Sequence, residues 1–261
     1  MLTPVLFVSH GAPTFALAPG RLGPLLTACG EALPLLRAVL VLSPHWQTRQ
    51  LRVMAHPTPA TVHDFGGFPA PLYQLQYPAP GAPAIADDVL SLLHAAGLNA
   101  EADAERGRDH GAWVPLLHLL PRADVPVLQL SMPARLDSDG AWQLGQVLAP
   151  LRQRGVLLIG SGSLTHNLHE VRFHASDSAD YAEQFRQWIA DTLQRRDGDA
   201  LRDYRQQAPA AVRAHPTEEH FLPLVFAAGA SRDSDALSRL DGGIEHGVLA
   251  MDSYLWRDTA D

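Results

Sequence analysis

Gly155-Val156-Leu157-Leu158-Ile159 runs directly into Gly160-Ser161-Gly162-Ser163-Leu164-Thr165-His166-Asn167. A short apolar run without polar alternation, closed by glycine and serine, reads as a strand buried on both faces. Four other stretches read the same way. Residues 4–8 end at Ser9-His10-Gly11, and 38–42 at Ser43-Pro44-His45-Trp46. Residues 51–55 end at His56-Pro57, and 126–130 at Ser131-Met132-Pro133. Apolar residues at helical spacing predict helices between them, over 22–37, 84–96, 113–120, 138–154, 178–195 and 218–228. Strands alternating with helices predict an α/β fold. We expect a single domain over residues 1–261, with a central mixed, mostly parallel sheet flanked by helices. Residues 247–256 are expected as an edge or antiparallel strand. Residues 58–83 are rich in Pro, Gly and aromatics, the composition of a functional loop or lid.

Composition narrows the chemistry. The chain has 261 residues, 46% hydrophobic and 18% charged, as in an ordinary globular protein. A net charge of −8 argues against binding nucleic acid or an anionic membrane surface. All 20 basic residues are Arg, which excludes a Schiff-base lysine and a P-loop lysine. Cys29 is the only cysteine, so intramolecular disulfides and cysteine-rich metal sites are excluded. No apolar run approaches the roughly 18 residues of a membrane span, and the short N-terminal run has no basic flank; a cytoplasmic protein is the expectation.

The 13 histidines are the outstanding feature. In open α/β sheets, ligands bind beyond the carboxyl ends of the strands. His10, His45 and His166 each follow an apolar run within a few residues. Asp109-His110-Gly111 and His215-Pro216-Thr217-Glu218-Glu219-His220 supply more. Neutral imidazole is a common ligand of Zn(II) and Fe(II), and a further imidazole suits proton transfer near neutral pH. Taken singly, each feature has a plainer reading. A strand-end histidine is more often a loop or core residue, and Asp109-His110 could form a turn. Gly160-Ser161-Gly162-Ser163 lacks both the GxGxxG and the GxSxG spacing. Thr217 reads as a helix N-cap, with Glu219 in the first turn, favoured there by the helix dipole.

As a set, however, the motifs resemble the DODA-type extradiol aromatic ring-opening dioxygenases of the class III extradiol superfamily. The likeness is carried, in order, by Ser9-His10-Gly11-Ala12-Pro13, Ser43-Pro44-His45-Trp46, His63-Asp64-Phe65-Gly66-Gly67-Phe68-Pro69, Asp109-His110-Gly111-Ala112-Trp113, Gly160 through Asn167 and His215-Pro216-Thr217-Glu218-Glu219-His220. The resemblance implies O₂-dependent cleavage of a catechol-type, DOPA-like ring next to its hydroxyls. It implies Fe(II) for catalysis, with Zn(II) able to occupy the same site. By motif, His10, His45 and His220 match the metal ligands, and His166 matches the acid/base residue, able to serve as a fourth ligand when zinc is bound. His110 matches a histidine that positions substrate or the oxygen species. The loop around His63, Phe65 and Phe68 matches the substrate border. The partners implied are a catechol and O₂, and the assembly a monomer or small homo-oligomer. A zinc-dependent hydrolase, or a non-enzymatic binding protein on the same fold, stays open at this stage.

Overall fold

The apolar runs at residues 38–42, 126–130, 155–159 and 4–8 become four adjacent parallel strands at the centre of one eight-stranded sheet. The computed structural model describes residues 2–259 apart from positions 174 and 176. Its elements begin with β1 (Val5–Ser9), α1 (Leu22–Glu31), β2 (Ala38–Thr48), β3 (Leu51–Met54), α2 (Pro83–Ala95), β4 (Ala100–Asp103), α3 (His110–Leu119) and β5 (Val127–Pro133). They continue with α4 (Ser138–Leu148), β6 (Val156–Gly162), α5 (Asp180–Gln194) and three short helices, α6 (Gly198–Arg202), α7 (Tyr204–Gln207) and α8 (Ala211–Ala214). α9 (Leu222–Ala230), β7 (Ala236–Leu240), β8 (Ile244–Glu245), β9 (Leu249–Ala250) and β10 (Ser253–Arg257) complete the chain. The sheet order is β4-β3-β5-β2-β6-β1-β10-β7. β3 is antiparallel to β5, and β10 runs antiparallel between β1 and β7.

Two apolar layers explain why the central strands show no alternation. Val5, Phe7, Leu40, Leu42, Leu128 and Leu158 pack toward the layer of α2, α4, α5 and α9. Their neighbours Leu6, Val8, Val39, Val41, Val127 and Leu157 pack toward α1 and α3. With helices on both faces, each parity of each strand must be apolar.

Several expected boundaries move, each for a local reason. The first helix stops at Glu31, ahead of Pro34, and the 138–154 helix gives way to a 3₁₀ turn that carries Pro150. The last long helix begins at Leu222, so Thr217 is not its N-cap and Glu219 is not in its first turn. Residues 247–256 divide into one strand of a small hairpin (β8–β9) and β10, which is internal to the main sheet. The edge strands β4 and β7 escaped the sequence reading because half-exposed edges lack the apolar run.

Three local devices bring histidines to one edge of the sheet. Gly11 turns the chain at the end of β1 with φ +62°, and a side chain there would strike Met251. In β2 the register slips between Leu42 and Gln47, an irregularity that carries His45. In β6, a Cβ on Gly160 would lie 1.9 Å from the Pro223 carbonyl oxygen, and one on Gly162 would lie 2.2 Å from that of His220. The Gly-Ser-Gly-Ser stretch is therefore a seat for the His220 segment, not a phosphate loop. The 58–83 loop is pinned: Val62 N–H donates to the Arg108 carbonyl (2.7 Å), Arg108 N–H to that of Ala60 (2.8 Å), and the Trp113 indole to that of Val62 (2.9 Å).

Candidate metal centre

β1, β6 and β2 are parallel neighbours, so the loops that follow them meet at one edge. His10, His45, His110, His166 and His220 line one cavity of about 420 Å³ there. His10 Nε2 and His45 Nε2 stand 3.2 Å apart. The His220 ring lies 5.5 Å from that of His10 and 5.2 Å from that of His45, centroid to centroid. His110 stands 3.9 Å from His45, and His166 stacks on His220 at 3.4 Å with planes 11° apart. Two sets of possible ligand atoms, each mutually within 4.8 Å, result: His10 with His45 and His110, and His166 with Glu219 and His220.

The groups behind each ring define its tautomer. Ser161 Oγ donates to the Gly111 carbonyl, so toward His10 Nδ1, at 3.0 Å, it accepts. His10 therefore carries its proton on Nδ1 and a lone pair on Nε2. Glu219 Oε1, 3.3 Å from His220 Nδ1, makes the same assignment for His220, whose Nε2 is buried without a partner. Asp64 Oδ2 lies 3.7 Å from His45 Nδ1 and 3.0 Å from His110 Nδ1, while Asp64 Oδ1 accepts the His110 backbone N–H at 2.9 Å. Oxygen acceptors behind metal-binding imidazoles are a general device for fixing ring and tautomer. With the His45 proton on Nδ1, toward Asp64, two lone pairs face each other across 3.2 Å and repel unless a cation lies between them; with it on Nε2, His45 donates to His10. Two nitrogens each about 2.1 Å from one ion, at an angle of about 100°, would stand about 3.2 Å apart. The residues fit a divalent metal.

Burial keeps His10, His45, His166 and His220 neutral and ready to ligate. It holds His10 and His220 well below the usual histidine range, helped by the neighbouring histidines. It lowers His45 to about 3 and His166 to about 4; His110 adds to the lowering and the Asp64 and Glu219 carboxylates oppose it. In the unfolded chain these groups titrate near 6.5, so below that pH the unfolded state binds more protons than the folded state. Stability of the metal-free protein is expected to be full above about pH 7 and to fall as pH drops from about 6.5 toward 4. Denaturant midpoints at a series of pH values check this, and a midpoint that holds or rises on acidification contradicts it.

The remaining sequence expectations divide. Phe65 and Phe68 line the cavity, but His63 does not: its Nε2 meets the Leu75 carbonyl at 3.0 Å, and its ring lies 5.5 Å from Trp113. His215, in the quoted His215–His220 stretch, is a core residue whose Nε2 meets the Leu164 carbonyl at 2.8 Å. Asp64, Ser161 and Glu219, to which the sequence reading gives no part in the site, stand behind the histidines. Leu168, Val171, Phe173, His246 and Leu249 also line the cavity and carry no sequence signal.

Comparisons with known proteins give the family. Residues 21–246 match the family described as the catalytic LigB subunit of aromatic ring-opening dioxygenase. The chain belongs to that family, within its DODA-type class III extradiol branch. Its relatives include proteins named 4,5-DOPA dioxygenase extradiol. One, from Beta vulgaris, is 38% identical over 97% of this chain and 96% of its own length. Another, from Escherichia coli strain K12, is 36% identical over 95% and 92%. The crystal structure of an uncharacterized Escherichia coli K12 protein superimposes with a TM-score of 0.80 at 30% identity, covering 97% of this chain and 99% of that one. Among the described residues, no helix is long and apolar enough to cross a membrane.

Proposed function

We propose that this chain opens the ring of a catechol next to its hydroxyls, using O₂ and one Fe(II) held by His10, His45 and His220. The observation that carries the reading is the meeting of three imidazoles, His10 and His220 buried and His45 half-buried, with Nε2 of His10 and His220 freed by the oxygen acceptors behind Nδ1. Family membership supports the reaction class, and the relatives' name makes DOPA a first compound to try. Bound there, Fe(II) supplies Lewis acidity toward the two catechol oxygens and an electron path to O₂. His166 takes a proton from a catechol hydroxyl and returns it later in the reaction. Its low affinity for protons leaves it in the base form at neutral pH. Asp64 holds the His110 backbone N–H and stands 3.0 Å from its ring Nδ1, so His110 presents its other nitrogen to the substrate. Phe65 and Phe68 wall the cavity against water.

The test is protein reconstituted with Fe(II), mixed with a catechol first without and then with O₂. Coloured ring-opened product is expected only after O₂ is admitted. Turnover of an ester or amide without O₂ would favour a zinc hydrolase, and tight binding without turnover a binding protein.

Glu219 acts, on this reading, through His220 and not as a ligand. Glu219→Gln is expected to weaken metal binding by about 10–100-fold, the usual effect of removing a carboxylate behind a histidine ligand. Metal titration of purified apo-protein measures it. Complete loss of metal would make Glu219 itself a ligand.

A further inference from the structure

We infer that the cavity selects catechols carrying an uncharged, apolar substituent over catechols carrying an α-amino acid. The inference rests on the proposed ring-opening reaction and concerns the part of the substrate that points away from the metal. At about 420 Å³ the cavity lies in the range of sites for drug-sized ligands, which leaves room beyond a catechol ring. Beyond the five histidines, that room is bounded by Gly11-Ala12-Pro13, Phe65 and Phe68, Val171 and Leu249. Leu168 and Phe173 stand in its lining at 61% and 62% exposed, apolar surface that a substituent can cover. The polar groups of the lining away from the five histidines are Ser163, whose hydroxyl donates to the Thr165 carbonyl, and His246, which packs against Phe173 at 4.9 Å.

Among the described residues, no Arg, Asp or Glu lines the cavity, and the chain has no lysine. The nearby carboxylates are engaged: Asp64 with His110 and His45, Glu219 with His220 and Thr217. Arg172, close in sequence to the rim, pairs with Asp177. An ammonium and a carboxylate brought into this space would give up water without gaining partners of opposite charge. An alkyl or aryl group would instead bury against Phe65, Phe68 and Phe173.

The test compares 4-butylcatechol with L-DOPA on the Fe(II)-reconstituted protein under O₂. It also measures the affinity of both compounds for the zinc-loaded protein by calorimetry, where no turnover intervenes. 4-Butylcatechol is expected to show a kcat/KM and an affinity each higher by about tenfold or more. Phe173→Arg, which places a cation at the rim, is expected to narrow the gap by improving L-DOPA. Opening of both compounds, with L-DOPA equal or better and bound as tightly, overturns this inference and leaves the reaction standing. Failure to open either overturns the reaction, and this inference with it.

Discussion

Replacement of His220 by Ala is expected to abolish stoichiometric iron binding and with it all turnover, whereas His110→Ala is expected to keep the iron and lose most of the rate. The contrast matters because both imidazoles crowd the pair formed by His10 and His45, and His110 shares with them a set of nitrogens within 4.8 Å. The groups beside each ring distinguish them. Asp64 accepts the His110 backbone N–H and stands 3.0 Å from the His110 ring Nδ1, on the side away from the substrate. His220 offers a buried Nε2 with nothing opposite it, a condition that costs free energy unless a ligand completes it. Three protein ligands are the usual minimum for an open catalytic site, so loss of one should leave too weak a grip to retain metal through gel filtration. Metal analysis of the two variants decides. If His110→Ala empties the site and His220→Ala does not, the third ligand is His110.

The second large effect concerns His166. His166→Ala is expected to keep substantial iron and to lose roughly 10²–10⁴ in kcat, the usual contribution of a positioned acid/base. His166 lines the cavity and lies flat on His220 at 3.4 Å, beside the proposed ligand set and not within it. Its substitution should remove one limb of the pH–rate profile. His166→Gln should recover some substrate binding without the proton transfer. A variant that loses iron and turnover in equal measure would make His166 a ligand. In a zinc-loaded protein, His166 as a fourth ligand would not conflict with the role in the iron form, because zinc favours closed tetrahedral sites.

What was legible in the sequence follows from how much of each segment is buried. β1, β2, β5 and β6 are enclosed on both faces, so their apolar runs stand out, and with them come the histidines that follow β1 and β6 and the one carried late in β2. β4 and β7 are sheet edges with exposed polar positions and left no run to read. The supports of the site were harder to find, because they are joined only by the fold. Ser161 meets His10 across 151 positions of sequence, and Asp64 meets the His110 backbone across 46. The one sequence signal for Asp64 is its place between His63 and Phe65, and nothing in that motif alone singles out the acid. His63 took the substrate role in that reading, yet it faces the Leu75 carbonyl within the pinned loop. Glu219 was misplaced because a Thr-x-Glu sequence ahead of an apolar run resembles a helix start, while Pro223 fixes the start of the helix three residues beyond Glu219.

The most direct test of the central claim is the structure of the product formed by Fe(II)-reconstituted protein from a simple catechol under O₂, with oxygen uptake recorded in the same reaction. Cleavage next to the hydroxyls predicts a product bearing one aldehyde and one carboxylate, visible by NMR or mass spectrometry, and one O₂ consumed per ring opened. A product bearing two carboxylates, or ring opening with no uptake of O₂, would contradict it.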